Sequence, residues 1–139
     1  MKPTEKKLLN ALGHTLLDRA ATFAAALSDP TRLRLLSLIL HNPDICVCDL
    51  EVVTKLPQTK ISKHLAVLRN ADLVVPRRQG TWMHYSVPKP KGAVLRGFLA
   101  VVQEAHTTVP ELQRDLARLK STISCGPEAS NGKLVRVKL

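Results

Sequence analysis

Two short helical patterns separated by a proline turn constrain the fold of this chain more than any other feature. The first pattern runs over about Val47–Leu56, and the second begins after Pro57. From Ile61, apolar residues of the second pattern recur at i, i+4 and i+7, the spacing of one buried helix face, and the other faces are polar. Two short helices joined in this way predict a helix-turn-helix over about residues 47–71.

A segment typical of β-strands follows the helix-turn-helix, at residues 73–87. It contains Val, Thr, Trp and Tyr, which favour strands, and Gln79-Gly80 supplies a turn near its middle. The pattern therefore predicts a β-hairpin with Arg77 and Arg78 near its tip. A hairpin in this position is the wing of a winged helix, so the predicted fold is mainly α with a small β-hairpin wing.

Helical patterns flank this centre on both sides. Residues 4–27 carry a broad apolar stripe, and further helical patterns occupy residues 91–105 and 109–122. Aromatic residues make up 3% of the chain, so the core must be built mainly of Leu, Val, Ile and Ala, which favours helices. A broad stripe on a terminal helix usually packs against something large, so we expect a helical dimer interface. The sequence thus predicts one domain over residues 1–122 and a flexible, Gly-, Ser- and Lys/Arg-rich tail over residues 123–139.

The positive charge of the chain is concentrated in its middle third. The formal net charge is +10 at pH 7, and residues 52–103 hold nine basic residues and one acidic residue, Asp72. Such a concentration of charge indicates a polyanionic partner. A solvated basic surface without a partner is the alternative. Because the charge coincides with a helix-turn-helix, we favour double-stranded DNA as the partner.

The second helix of the motif carries the polar groups that a DNA-reading helix needs. A major groove about 12 Å wide admits one α-helix, and its base edges present hydrogen-bond donors and acceptors. Amide, hydroxyl, imidazole and cationic side chains stand early in this helix, and the two arginines of the hairpin are placed to reach phosphates or the minor groove. The predicted DNA-contacting residues are Gln58, Thr59, Lys60, Ser62, Lys63, His64, Arg69, Arg77, Arg78 and Gln79.

Three cysteines, Cys46, Cys48 and Cys125, are the candidate ligands for an ion. No apolar run approaches the roughly 18 residues that span a bilayer, and no apolar signal-peptide core follows the basic N-terminus, so we expect a cytoplasmic protein with no membrane association. An odd number of cysteines in such a protein indicates metal or redox chemistry rather than a disulfide framework. Thiolates are soft ligands that select thiophilic ions over Mg²⁺ or Ca²⁺.

The spacing of Cys46 and Cys48 suggests how such an ion would act. Both stand at the predicted start of the first short helix, where the helix N-terminus favours the thiolate, and residues i and i+2 of a regular helix lie about 200° apart. Two sulfur atoms can therefore approach a common ion, at roughly 2.3 Å as in zinc–thiolate bonds, only if the first helical turn unwinds or bends. Since this helix supports the DNA-reading helix, we expect ligand binding to release DNA.

Four motifs stand in order along the predicted winged helix. They are Ala26–Arg32 (ALSDPTR), Ile45–Leu50 (ICVCDL), Ile61–Leu65 (ISKHL) and Arg78–Tyr85 (RQGTWMHY). These motifs resemble the ArsR/SmtB family of metal-sensing repressors, and most closely its arsenic-responsive branch. The resemblance implies a homodimeric repressor that leaves its operator when As(III) or Sb(III) binds cysteine thiolates. It also implies that the protein is not an enzyme and needs no organic cofactor.

The chain departs from the arsenic-responsive pattern at Glu51, where enteric repressors of this branch place a third cysteine. The site would then consist of two thiolates, or be completed by Cys125 of the same or the other subunit. Zinc sensors of the family use an Asp-x-His…His-x-x-Glu set on the C-terminal helix. Ala117 and Lys120 occupy the second half of that pattern here, so the zinc set is absent from the sequence.

Other interpretations of the cysteines and of the fold remain open. The cysteines could take another thiophilic metal such as Cd²⁺ or Pb²⁺, or respond to thiol oxidation, although a disulfide between residues i and i+2 is strained. A winged helix can also serve only in protein–protein contacts. A cysteine-dependent enzyme is disfavoured, because the sequence shows no companion base and no Gly-rich phosphate loop.

Overall fold

The computed structural model describes residues 2–122, apart from the side chains of residues 11–14. Cys125 and the predicted flexible tail of residues 123–139 lie outside the described residues. Six helices and three strands occur in the described range. In chain order they are α1 (Pro3–Ala26), α2 (Pro30–His41), β1 (Ile45–Cys46), α3 (Val47–Thr54), α4 (Gln58–Asn70), β2 (Val75–Gln79), β3 (Trp82–Ser86), α5 (Ala93–Thr108) and α6 (Pro110–Lys120).

The helix-turn-helix forms where the periodic pattern predicts it, as α3 and α4. The predicted apolar face of α4 is buried at Ile61, Leu65 and Leu68. Helix α3 is shorter than predicted and ends at Thr54, because Lys55 adopts a left-handed conformation with φ 58° that stops the helix. The turn between the two helices is therefore set by the backbone at the end of α3 as well as by the proline that precedes α4.

The wing is part of a three-stranded antiparallel sheet in the order β1-β3-β2. Strands β2 and β3 form the predicted hairpin, whose two-residue loop places Gly80 at φ 60°. The sequence predicts only these two strands, and the structure adds β1, which pairs Ile45 with Tyr85 and Cys46 with His84. A two-residue strand has no periodicity to detect. Only the tertiary structure shows that the first cysteine belongs to the sheet.

The core is aliphatic, as the low aromatic content predicts. Helix α2 lies at its centre, since every residue from Leu35 to His41 is buried, and α4 and α5 pack against it. Phe23 of α1 packs edge-on against Phe98 of α5, with ring centroids 5.7 Å apart. None of the described helices is both long enough and apolar enough to cross a membrane.

A buried ion pair fixes α6 onto α2. The Arg34 guanidinium donates two hydrogen bonds to the Asp115 carboxylate, at 2.8 and 2.9 Å, and the Asp115 side chain is only 1% exposed. The hydrogen bonds to Asp115 raise the pKa of Arg34, so the guanidinium stays charged. Arg118 of α6 also donates to the backbone carbonyl of Val53 in α3, at 3.4 Å. Helix α6 therefore joins α2 to the short helix that begins at the cysteines.

Two imidazoles lie in contact between α2 and α5. His41 and His106 have ring centroids 4.3 Å apart, and His41 is buried. Burial, followed by the nearby His41 and Lys120, lowers the pKa of His106. The folded protein therefore favours the neutral form of His106 more strongly than the unfolded chain does.

This contact makes the stability of the fold sensitive to mild acid. Below about pH 6.5 the unfolded chain binds a proton at His106 that the folded chain resists, so the free energy of unfolding falls as the pH falls. Carboxyl groups with a lowered pKa, such as Asp29, also stabilise the folded protein. Their contribution to the free energy of unfolding is lost only below their ordinary pKa of 3.8, which is a separate pH range. We expect His106→Leu to show a shallower fall than wild type in urea unfolding between about pH 7 and pH 5. An equally steep fall would contradict the role given to His106.

Candidate thiol site and DNA interface

The two cysteines at the start of α3 lie side by side as free thiols. Cys46 ends β1 and is the N-cap residue of α3, with extended backbone (φ −71°, ψ 143°) and a buried side chain. Cys48 lies in the first turn of α3 and is half-buried. The Cys48 thiol donates to the Cys46 sulfur across 2.8 Å. The fold therefore brings together the two ligands that the sequence predicts.

The prediction that the first turn of α3 must unwind or bend to bring the sulfur atoms together is wrong for the ion-free protein, where they already lie together. That prediction treats both cysteines as helical, whereas Cys46 stands outside the helix and its extended backbone lets its side chain approach Cys48. Two thiolates bound at roughly 2.3 Å to one tetrahedral ion lie about 3.8 Å apart. A shared ion therefore takes two side chains that already lie together, and binding it does not require a helical turn to unwind.

A cavity of about 240 Å³ opens beside the thiol pair. Its walls come from three parts of the fold, namely the segment of the cysteines, helix α4 and the wing. The lining residues are Cys46, Val47, Cys48, Glu51, Gln58, Ser62, Leu65, Thr81, Trp82, Met83 and Tyr85. A ligand held by the thiols would therefore lie against both elements that are predicted to contact DNA.

Glu51, the point at which the sequence departs from the expected three-cysteine pattern, lines the same cavity. Even so, no three His, Cys, Asp or Glu side chains among the described residues are arranged to hold a metal ion together. The structure thus assembles two of the three predicted ligands, Cys46 and Cys48. The third, Cys125, lies beyond the described part of the chain and stays a prediction.

The face of α4 that is predicted to read DNA is open to solvent. Its exposed residues from the predicted set are Gln58, Thr59, Lys60, Ser62, Lys63 and Arg69. Arg78 of the wing is exposed as well. Gln58 and Ser62 also line the thiol cavity, so these two residues stand between the ligand site and the predicted DNA surface.

His64 lies at the contact between α4 and α2. Its Nδ1 atom is 3.5 Å from Nη1 of Arg32 and 3.9 Å from the carboxylate of Asp29, and its side chain is 16% exposed. Asp29 is the N-cap residue of α2, and its carboxylate accepts a hydrogen bond from the backbone N–H of Arg32 at 3.1 Å. The structure therefore places His64 where it supports α4 on α2. A base contact by His64 stays a prediction.

Arg77 of the wing forms an ion pair within the protein. It donates two hydrogen bonds to the Asp44 carboxylate, at 2.8 and 2.6 Å, and one to the side-chain oxygen of Gln79 at 3.1 Å. The hydrogen bonds from Arg77 hold the pKa of Asp44 below its usual value. A DNA phosphate would have to compete with Asp44 for Arg77. The sequence predictions missed Asp44, and an acidic residue two positions before Cys46 is the signal that could have identified it.

An apolar surface on α1 and α5, two helices that pack on each other, is left uncovered. Val101 of α5 is 65% exposed and borders a groove of about 320 Å³ that contains Phe98. The exposed leucines of α1 are Leu8, Leu9, Leu16 and Leu17. Monomeric soluble proteins rarely expose a large contiguous apolar surface, so this region indicates a partner.

A helix-turn-helix with a solvent-exposed polar second helix and an adjoining wing defines a winged helix-turn-helix DNA-binding protein. A sequence model described as "Bacterial regulatory protein, arsR family" matches residues 29–75. The chain is 46% identical over 107 residues to the arsenical resistance operon repressor of Escherichia coli. The aligned segment covers 76% of this chain and 87% of that protein. The chain belongs to the arsR family. It is an arsR-family transcriptional repressor and not an enzyme.

Two further relatives match shorter segments. The arsenic resistance transcriptional regulator ArsR1 of Pseudomonas putida is 42% identical over 82 residues, which cover 56% of this chain and 64% of that protein. The transcriptional repressor SmtB homolog of Synechocystis is 42% identical over 74 residues, which cover 51% of this chain and 55% of that protein. In both comparisons the aligned segment spans less than two thirds of the relative's length.

Solved structures confirm the predicted fold. The homodimeric winged helix-turn-helix DNA-binding domain of a possible ArsR-family transcriptional regulator from Mycobacterium bovis is similar with a TM-score of 0.56 and 30% identity, covering 68% of this chain and 87% of that one. Reduced HlyU from Vibrio cholerae has a TM-score of 0.59 at 24% identity, covering 70% and 95% of the two chains, a likeness of fold alone.

Proposed function

We propose that this protein represses transcription from a DNA operator and leaves the operator when As(III) or Sb(III) binds the thiols of Cys46 and Cys48. The observation that carries the proposal is the shared cavity. Two sulfur atoms 2.8 Å apart adjoin a space that is also walled by the DNA-reading helix and the wing. The names of two relatives, an arsenic resistance regulator and an arsenical resistance operon repressor, support the choice of inducer.

The chemistry of the thiol pair suits a trivalent metalloid. Soft thiolates favour thiophilic ions, and two neighbouring sulfur atoms can chelate one centre without a large rearrangement of the backbone. Cys48 is half-buried and both cysteines line the cavity, so an ion can reach them from that side. The third coordination position is then taken by Cys125 of the same or the other subunit, or it has no protein ligand. No organic cofactor enters the proposal.

Release of DNA follows from the position of the two cysteines. Cys46 belongs to β1, which pairs with the wing strand β3, and Cys48 belongs to α3, which packs on α4. An ion that binds both sulfur atoms therefore shifts the wing relative to the reading helix. Because the operator needs both elements in one arrangement, the ion-bound form binds it more weakly, by a factor typically of about 5 to 150 in allosteric proteins.

Operator binding itself rests on the exposed cations beside the reading helix. Lys60, Lys63 and Arg69 of α4 and Arg78 of the wing are all exposed, and in this proposal they contact phosphates. Each neutralised phosphate of duplex DNA adds about 0.9 to the slope of log affinity against log salt concentration, so binding should weaken steeply as salt rises. In this proposal the repressor acts on its operator in the cytoplasm.

The active form in this proposal is a homodimer, with residues 1–122 as one DNA-binding and dimerisation domain. A second copy of the chain covers the apolar surface of α1 and α5. The uncovered leucines of α1 and the apolar groove beside Val101 support this arrangement. The related domain from Mycobacterium bovis is homodimeric, which supports it further.

The Val101→Glu variant should therefore be monomeric in size-exclusion chromatography with light scattering. A carboxylate at this position would have to be buried unpaired in the interface, whereas it is well solvated in the monomer. Operator affinity should fall as well, because a monomer contacts only one half-site. Ala117→Glu, which adds the same charge to the exposed side of α6, is the control and should remain dimeric. A dimeric Val101→Glu protein would exclude this surface.

The experiment that tests the proposed function is a titration of the protein–operator complex followed by fluorescence anisotropy. Arsenite, antimonite, Cd²⁺, Zn²⁺ and hydrogen peroxide are added to separate samples. We expect arsenite and antimonite to release the operator at concentrations close to that of the protein sites. A complex that both leave intact would show that the protein is not a sensor of trivalent metalloids.

A second candidate function is a repressor that responds to another thiophilic metal or to thiol oxidation. The similarity to a protein named as an SmtB homolog favours another metal, and the 2.8 Å separation of the free thiols favours oxidation. Release by Cd²⁺ alone would support the first of these. Release by peroxide alone, with reversal by dithiothreitol, would support the second.

A further inference from the structure

Asp44 is bound to both strands of the wing hairpin. Its carboxylate accepts two hydrogen bonds from Arg77 of β2, at 2.8 and 2.6 Å. Its backbone carbonyl lies 2.9 Å from Nδ1 of His84 in β3, and its backbone N–H donates to the hydroxyl of Ser86, also in β3, at 2.9 Å. One residue outside the wing therefore contacts three residues within it.

Asp44 also lies two residues before Cys46, at the entrance to β1. In the sheet, Cys46 pairs with His84, and His84 pairs on its other side with Arg77. The row Cys46–His84–Arg77 thus crosses the sheet from the thiol pair to the outer strand of the wing. Asp44 connects the two ends of this row. Along the chain it leads into β1, which contains Cys46, and its side chain forms an ion pair with Arg77 of β2.

The ion pair between Arg77 and Asp44 orients the two segments that it joins more than it stabilises the fold. The side chains of Arg77 and Asp44 are 47% and 44% exposed, and exposed pairs add little to the free energy of unfolding. A bidentate guanidinium–carboxylate pair nevertheless fixes the relative orientation of its two partners. The pair therefore holds β2 in register with the segment that leads into the thiol site.

We propose that Asp44 is the positioning residue that transmits the state of the thiol pair to the wing. This inference rests on the proposed function. An ion that binds the sulfur atoms of Cys46 and Cys48 displaces β1, and Asp44 passes that displacement to Arg77 and so to β2. Without the Asp44 carboxylate, β1 keeps its pairing with β3 but loses its direct link to the outer strand.

Asp44→Asn is the variant that tests this role, because it removes the charge and keeps the shape of the side chain. Asparagine also tolerates the positive φ of 62° at this position. Asp72→Asn is a matched control, since Asp72 is exposed, has φ 59° and undergoes the same change of charge. The measured quantity is the ratio of operator Kd with and without arsenite, from which any change in basal affinity cancels. Arsenite binding to the free protein is measured in parallel.

We expect wild type and Asp72→Asn to give the same ratio. The Asp44→Asn ratio should be smaller by roughly 2- to 30-fold, the range over which residues on a coupling route change allosteric coupling, while arsenite binding to the free protein is unchanged. The Arg77→Gln ratio should be reduced as much as the Asp44→Asn ratio. The ratio of the double variant should be reduced no further, because both substitutions break the same link.

Three results would overturn the inference. An Asp44→Asn protein with the wild-type ratio would show that Asp44 does not transmit the signal, and it would leave the proposed function intact. An Asp44→Asn protein that no longer binds arsenite would show that Asp44 shapes the thiol site instead. If arsenite did not change the operator Kd of the wild-type protein, both the proposed function and this inference would be overturned.

Discussion

The variants Cys46→Ser and Cys48→Ser are expected to bind the operator as wild type does and to ignore arsenite. Serine keeps nearly the size of cysteine, so the start of α3 and the contact between β1 and the wing are preserved. A neutral hydroxyl is a hard, weak ligand for a thiophilic centre, so the remaining cysteine of the pair can no longer chelate the ion together with its neighbour. Arsenite should raise the operator Kd of wild type by about 5- to 150-fold and that of either variant hardly at all, as fluorescence anisotropy would show.

Cys125→Ser is the matched control for these two variants, since it removes a thiol outside the pair that the structure brings together. If Cys125→Ser responds to arsenite as wild type does, two thiolates form the whole protein site. If it loses the response, Cys125 supplies the third ligand. Release of the operator by arsenite from Cys46→Ser or Cys48→Ser, at the wild-type concentration, would show that the ligand site lies elsewhere.

Asp115→Ala should have the largest effect on stability of any substitution considered. Asp115 is 1% exposed and is the bidentate partner of Arg34, whose side chain is 17% exposed. Removing one partner of a buried ion pair typically costs about 3–5 kcal/mol, because the other charge is left buried without compensation. Arg34 keeps some contact with water, so we expect a loss near the lower end, about 3 kcal/mol, in urea unfolding.

Glu111→Ala provides the comparison for this prediction. Glu111 also lies near Arg34, at 3.6 Å, but its side chain is 56% exposed. Exposed pairs contribute less than about 1 kcal/mol, so this variant should unfold close to wild type. Equal losses from the two variants would mean that burial of the Arg34–Asp115 pair does not determine how firmly α6 is held on α2.

Local patterns were sufficient to predict the main elements of the fold. The apolar spacing of α4, buried at Ile61, Leu65 and Leu68, and the turn at Gly80 each depend on residues close together in the chain. Such short-range patterns can be recognised in the sequence without knowledge of tertiary contacts. They therefore indicated the helix-turn-helix, the wing and the flanking helices in the correct order.

The geometry of the site depends on contacts that no local pattern contains. Strand β1 is two residues long and exists only because it pairs with β3, so the sequence did not show that Cys46 belongs to the sheet, and helical spacing implied that the first turn must unwind or bend. The pairing of Arg77 with Asp44 joins residues 33 positions apart, so the sequence presented Arg77 as an ordinary DNA contact. Both differences concern how the thiol pair is connected to the wing.

A ligand on the thiol pair should occupy the cavity between the reading helix and the wing. Trp82, the single tryptophan of the chain, lines that cavity, so its emission reports on the site. The most direct test is to titrate arsenite into the protein bound to labelled operator and to follow Trp82 emission and operator anisotropy in the same sample. We predict that both signals change over the same range of arsenite concentration in wild type and that neither changes in Cys46→Ser. Release of the operator with no change in Trp82 emission would contradict the claim.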